Sequence, residues 1–302
     1  MPADHPCHFA AEPLDRACEA RINPDFIAAR LSDPQTVLVA LYRGDPLVRD
    51  GRAAMLSIAA RREFGDAPLV FLGLGGGRAH FAVDASAAAS AEAAPFAEIG
   101  AYAPIREAAG AIDEGDLAII GHARWLLGWH ARHRHCAVCG ALTEIGEAGA
   151  KRQCPECKAE HFPRSDPVAI VLATHDGACL LGRSPHYPGK RFSALAGYVE
   201  AAETPEACAA RELREEAGVR LTDVRYQFSQ PWPFPSSLMM GFIADAADRA
   251  LTLDAKEIIE AHWVARTKIK ALLRGEGDDI LLPPRFTIAR RLIEKWADDP
   301  AV

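Results

Sequence analysis

A mixed sheet with helices packed on its faces is the fold class this chain predicts, and three features of its second half predict it. The apolar runs 168–174 and 178–182 flank an Asp176-Gly177 turn, the pattern of a β-hairpin. Thr204 and Pro205 suit the start of a helix and Gly218 its end, so a helix spans about 205–217. Strand-like runs near 224–229, 238–244 and 262–265 then precede a C-terminal helix at about 287–296. Strands and helices alternate in this region, and residues 192–196 lead into its first helix.

Residues 1–125 form an N-terminal α/β domain without a catalytic motif. Strand-like runs occur at 36–41, 67–72 and 79–83. The glycine-rich stretch 73–77 could cradle a phosphate, but it lacks the Lys-Ser/Thr of a P-loop and no helical pattern follows, which favours a hairpin turn. Residues 85–95 read either as a short Ala-rich helix or as a surface connection. A helical pattern resumes at about 113–132, with Leu117, Ile120, Trp125, Leu126 and Trp129 as its core positions.

The 302 residues leave room for two or three units. The net charge of −7 argues against a general nucleic-acid binder. No apolar run is long enough for a membrane span, and the first residues lack a secretory pattern, so a cytoplasmic location is expected.

Four of the eight cysteines are isolated: Cys7, Cys18, Cys179 and Cys208. The others form two C-x2-C pairs, Cys136/Cys139 and Cys154/Cys157, separated by fourteen residues. Two such knuckles deliver four soft ligands in a tetrahedron, so residues 126–165 read as a zinc ribbon. The alternative is a pair of disulfides, disfavoured in a reducing compartment. Four protein ligands leave no open position, which makes this Zn²⁺ structural. His133 and His135 beside the first knuckle read as surface residues, and the segment is locally basic.

Residues 166–302 carry the most specific pattern. Gly197, Glu203, Arg211, Glu212, Glu215, Glu216 and Gly218 follow the spacing G-x5-E-x7-R-E-x2-E-E-x-G. Glu212, Glu215 and Glu216 stand three and four residues apart, which crowds their carboxylates on one side of the helix. Folding has no use for such repulsion. Clustered hard oxygens suit Mg²⁺ or Mn²⁺, which bind a few carboxylates together with substrate phosphates. A solvated acidic face would explain Glu215-Glu216 alone but not the full spacing. Eleven residues past Gly218 begins Ser229-Gln230-Pro231-Trp232-Pro233-Phe234-Pro235-Ser236-Ser237. Its alternating prolines predict a stiff loop that holds Trp232 and Phe234 for stacking against a base or nicotinamide ring. A proline-rich interface patch is the competing reading.

The spacing from Gly197 to Gly218 is that of the Nudix box. With the SQPWPFP motif and the preceding ribbon, the chain resembles the NADH pyrophosphatase (NudC-type) branch of the Nudix hydrolases. That resemblance implies a Nudix α/β/α sandwich, a Nudix-like but non-catalytic N-terminal domain and a homodimer. It also implies one structural Zn²⁺ per chain, a Mg²⁺ or Mn²⁺ catalytic centre, and hydrolysis of NAD(H) to nicotinamide mononucleotide and AMP, with NAD-capped RNA as a further substrate. It assigns the catalytic metal to Glu212, Glu216, Glu257 and the carbonyl of Ala196. Glu215 becomes a ligand or base, and Arg211 braces Glu203 and the box carboxylates. Substrate contacts fall on Gln230 through Ser237, on Phe162, on Ala289 and on Arg106. Gly149 stands where an acidic contact is expected. Two other functions compete: a Nudix hydrolase of ADP-ribose or a diadenosine polyphosphate, and a non-catalytic zinc-ribbon regulator that binds nucleic acid.

Overall fold

In the computed structural model, which describes residues 7–299, the chain forms two compact units. One comprises Ala11–Arg164 with Pro233–Ser236, the other Ser165–Trp232 and the chain from Ser237, with the segment up to Ala10.

The first unit opens with α1 (Pro24–Ser32), capped by the Asn23 side chain. Its sheet contains β1 (Val37–Tyr42), β2 (Asp45–Arg49), β3 (Arg52–Ala53), β4 (Met55–Ser57), β5 (Val70–Gly75), β6 (Arg78–Asp84) and β7 (Ala101–Tyr102). The strand order is β3-β2-β1-β6-β5, with β4 paired to β1 and β7 to β2. Only β1 and β6 run parallel. Gly76 and Gly77 adopt positive φ at the β5–β6 turn, so the glycine-rich stretch is the expected hairpin. Residues 85–95 form turns and bends, the surface connection rather than the helix. After α2 (Ile105–Ala108) comes α3 (Glu114–Arg132), capped by Asp113. Leu117, Ile120, Leu126 and Trp129 are buried as expected. Trp125 is only half-buried, because its indole N–H reaches outward to the carbonyl of Arg164 at 2.8 Å. The ribbon follows as β8 (Glu144–Gly146), β9 (Lys151–Gln153) and β10 (Glu160–His161). A Cβ at Gly149 would lie 2.6 Å from Val70, so packing explains the glycine there.

The second unit holds β11 (Asp166–His175), β12 (Ala178–Arg183), β13 (Leu195–Tyr198), α4 (Pro205–Ala217), β14 (Leu221–Trp232), β15 (Ser237–Ala246), β16 (Glu260–Ala265), α5 (Arg266–Leu273) and α6 (Ile288–Asp298). The sheet order is β14-β15-β11-β12-β16, with β13 paired to β11 and the β11–β15 pair parallel. The central strand β11 is apolar on both faces, as a strand covered on both sides must be. Ala169, Val171 and Ala173 meet Leu213 and Ala217 of α4 in one core. Ile170 and Leu172 meet Ile269 of α5 and Leu292, Ile293 and Trp296 of α6 in the other. This is the expected α/β/α sandwich. Trp232 closes strand β14 rather than standing in a loop, and only Pro233–Ser236 form the turn. Pro231 is tolerated within the ladder because β14 is an edge strand.

Candidate active site

Helix α4 is started by Thr204, whose hydroxyl accepts from the Ala207 N–H at 3.2 Å. It ends at Gly218 in the left-handed region (φ 72°), whose N–H is taken up by the Leu213 and Arg214 carbonyls. Beyond the sheet, the chain returns to this helix end. The Thr252 N–H reaches the Ala217 carbonyl at 2.9 Å, and the Asp254 N–H reaches the Glu216 carbonyl at 3.0 Å. This return brings Glu257 to the box, although it lies 41 residues beyond Glu216. Carboxylate oxygens of Glu212, Glu216 and Glu257 all lie within 4.8 Å of one another.

The geometry fits a divalent cation. Glu216 is 7% exposed, and its Oε2 is buried with no hydrogen-bond partner. Burial, with Glu212 and Glu257 close by, pushes the Glu216 carboxyl up to about 8. Burial also raises Glu212, although Arg211 opposes the shift. A cation among these oxygens would supply the partner that Glu216 lacks. Gly197 makes room for this arrangement: a Cβ there would stand 1.8 Å from Cδ of Glu212. Ala196 precedes it on β13.

Arg211 organises the remaining box carboxylates. Its Nε and Nη2 donate to the two oxygens of Glu203 at 2.8 and 2.9 Å. Its Nη1 donates to Glu212 at 2.7 Å and to Glu215 at 3.0 Å. The Arg211 hydrogen bonds hold the Glu203 carboxyl down at about 2. Arg211 is thus a brace. Glu215 pairs with it and faces outward, so the clustered trio is Glu212, Glu216 and Glu257 rather than the three box glutamates. Glu212 and Glu215 meet on one nitrogen of Arg211, so the box carboxylates do share a side of α4, with Glu215 the exposed one.

The proline-rich segment separates into different tasks. Gln230 is fully buried. Its Nε2 donates to the carbonyls of Phe286 and His8 at 2.8 and 3.0 Å, and its Oε1 accepts from the Ile288 N–H at 2.8 Å. The expected substrate contact is instead a clamp on the start of α6. Trp232 stacks on Phe286, with centroids 5.9 Å apart and planes 9° apart, and meets Phe9 edge-on. In the first unit Arg106 lies over the Phe234 ring at 4.4 Å, and Arg124 lies over it at 5.0 Å. Arg124 also donates to the Pro233 carbonyl at 2.8 Å, a contact the sequence did not flag. Pro235 is exposed, while Ser236 and Ser237 are buried. Phe162 is 63% exposed. Ala289 is packed in the core under α6, so no side-chain contact with substrate is available to it.

In the ribbon, the four sulfurs lie within 4.8 Å of one another. The Cys136–Cys157 and Cys139–Cys154 separations are both 3.5 Å, far beyond a disulfide bond and fit for a shared ion. The Val138 N–H points at Cys136 Sγ and the Cys157 N–H at Cys154 Sγ, which favours thiolates at both. His161 Nε2 lies 3.3 Å from Cys136 Sγ, a neighbour sequence reasoning missed because it follows the second knuckle. His133 instead stacks on Trp129.

Comparisons with known proteins agree with this geometry. The NUDIX domain model matches residues 163–284. The zinc ribbon domain of NADH pyrophosphatases matches 131–162, and their rudimentary NUDIX-like domain matches 35–129. The NAD-capped RNA hydrolase NudC of Mycobacterium bovis is 39% identical over 92% of this chain and 91% of its own length. The human NAD-capped RNA hydrolase NUDT12 is 33% identical over 96% of this chain and 73% of its own. The chain belongs to the NADH pyrophosphatase branch of the Nudix hydrolases. A solved Nudix hydrolase from Nitrosomonas europaea is 22% identical and covers 55% of this chain and 90% of its own, with a TM-score of 0.42. With its four-sulfur cluster the ribbon is a structural zinc site, and with its carboxylate trio the box is a divalent-metal hydrolase site. Among the described residues, no helix is long and apolar enough to cross a membrane.

Proposed function

We propose that this enzyme hydrolyses the pyrophosphate of NAD(H) to nicotinamide mononucleotide and AMP, and removes an NAD cap from RNA by the same cleavage. The observation that carries the reading is the trio Glu212, Glu216 and Glu257 around the unpartnered Glu216 oxygen, in a chain whose relatives are NAD-capped RNA hydrolases. Glu212, Glu216, Glu257 and the Ala196 carbonyl would hold Mg²⁺ or Mn²⁺. When bound, the ion supplies neutralisation of the pyrophosphate charge and a more acidic water. The chain's own groups do the positioning. Arg211 fixes Glu212 and Glu215 relative to Glu203, and Gly197 lets the Glu212 carboxylate lie against the strand. Glu215, exposed at the rim, would serve as a further ligand or take a proton from attacking water. Water adds to one phosphorus as the bridging P–O bond breaks, leaving a phosphate on each mononucleotide.

In the second unit Trp232 supplies an aromatic surface suited to a ring of a dinucleotide; in the first, Phe234, Phe162 and Arg106 supply aromatic and cationic surfaces of the same kind. The organisation we propose is an N-terminal domain over 1–125, a ribbon over 126–165 and the hydrolase over 166–302, in a homodimer. A reducing compartment, the cytoplasm, suits its unbonded cysteines. The test is AMP release from NADH, ADP-ribose and NAD-capped RNA in parallel, with Mg²⁺, Mn²⁺ or chelator. The reading expects metal-dependent release, with NADH preferred over ADP-ribose. Preference for ADP-ribose would select the other Nudix chemistry, and no metal-dependent release would select the binding-protein reading.

A further inference from the structure

The N-terminal unit has a cavity where its sheet hands over to the segment after β4. It measures about 440 Å³ and is bordered by Thr36, Ser57, Gly76 and Arg78. A second space of about 310 Å³ shares Ser57 and is bordered by Arg61 and Arg62. Neither space is lined by a carboxylate. Arg61, Arg62 and Arg78 form no ion pair among the described residues. Two neighbouring acid-free hollows that share Pro34 and Ser57, one with Arg78 and the other with Arg61 and Arg62 unneutralised on its border, are conspicuous in a chain with a net charge of −7. Ser57 Oγ accepts from the Ala59 N–H, which leaves its hydroxyl hydrogen for a ligand. Gly76 has open space where a side chain would stand, so the glycine turn gives close access to backbone.

The place within the fold is also informative. In the second unit, β13 pairs with β11 and leads into the carboxylate helix. In the first, β4 pairs with β1 and leads into the 3-10 segment Ile58–Phe64, which carries Arg61 and Arg62. Where the hydrolase has acids for a metal, the N-terminal unit has arginines. From this geometry we propose that this pair of hollows, joined at Ser57, binds the phosphate of a nucleotide directly, without metal and without hydrolysis. Guanidinium groups match phosphate oxygens in bidentate fashion. The phosphate can belong to a free mononucleotide or to an RNA chain, and the test separates the two.

The full-length, zinc-loaded enzyme and its Arg61→Ala/Arg62→Ala/Arg78→Ala variant are compared by calorimetric titration with AMP. They are compared again by anisotropy with a labelled 5′-monophosphate single-stranded RNA. If the source is a free nucleotide, AMP binds the parent at two sites and the variant at one. If the source is RNA, the variant binds RNA at least tenfold more weakly, with a shallower salt dependence, and its AMP stoichiometry is unchanged. In both cases kcat and KM for free NADH stay within twofold of the parent, which also shows that the variant folds. The triple lysine variant keeps the charge and recovers at least part of the binding. Unchanged AMP stoichiometry together with unchanged RNA affinity overturns the proposal. So does loss of binding only in parallel with loss of NADH turnover.

Discussion

The two sheets of this protein share a plan and differ in one corner. In each, a central strand runs parallel to one neighbour (β1 with β6, β11 with β15) and antiparallel to the strand of its own hairpin. In each, a short strand pairs with the start of the central one, and a last strand leads through a short helix to a long one: β7, α2 and α3 in the first, β16, α5 and α6 in the second. The corner after β4 is a seven-residue 3-10 segment, whereas the corner after β13 leads to a thirteen-residue helix carrying Glu212, Glu215 and Glu216. The core specifies the plan in both units, and a replaceable connection specifies chemistry in one. This is how the N-terminal domain can be Nudix-like and lack the catalytic motif.

Glu216→Gln puts that difference to its strongest test. It keeps the shape of the corner and removes one charge, so kcat for NADH should fall at least ~100-fold, about 2.7 kcal/mol of barrier. Zinc content should be unchanged and the fold retained. A variant retaining more than about a tenth of kcat would falsify the role of the trio.

Gly197→Ala should cost more than about tenfold in turnover, since the new methyl displaces the Glu212 carboxylate. Gly110→Ala in the N-terminal unit meets nothing within 4 Å and should be silent. Steady-state kinetics on the two variants compare them directly, and equal effects would contradict the packing argument.

Trp232→Ala removes a ring stacked on Phe286 and should raise KM for NADH about tenfold, the scale of ~1–3 kcal/mol of lost stacking. A small fall in melting temperature should accompany it. Unchanged KM with lowered melting would assign the tryptophan to packing alone.

Cys154→Ser tests the zinc ribbon. Zinc measured by elemental analysis should be lost and melting lowered by roughly 5–10 °C, because binding and local folding are coupled. Unchanged zinc would rule out the four-cysteine site.

The smallest effect is in pH. Glu216 stands at about 8 in the metal-free fold, against an ordinary value of 4.5. Between these values the native state holds a proton the unfolded chain has lost. Stability of the metal-free protein should therefore decline as pH rises from about 4.5 to about 8. Ligation needs the ionised form, so divalent-metal affinity should weaken as pH falls below about 8. Chelator-treated melting curves and metal titrations across that range check both signs, and Glu216→Gln should flatten them.

Local grammar made much of this legible in sequence. Thr204, Pro205 and Gly218 bound α4 because caps act through adjacent backbone groups. The paired C-x2-C knuckles name the zinc ligands because each knuckle is itself local. The glycine turn before Arg78 and the hairpin at Asp176-Gly177 follow from φ preferences alone. Tertiary structure decided what depends on long return paths and side-chain reach. Glu257 joins the trio because residues 252–258 fold back onto the end of α4. Glu215 stands outside it because its side chain is exposed while those of Glu212 and Glu216 are buried. Gln230 becomes a clamp because the start of α6 presents unpaired backbone groups to it. Periodicity placed Trp125 on the core side, yet its indole N–H needed a partner and found one at Arg164. Residue spacing along a chain encodes backbone hydrogen bonding, but which buried polar atoms find partners is settled only when distant segments meet.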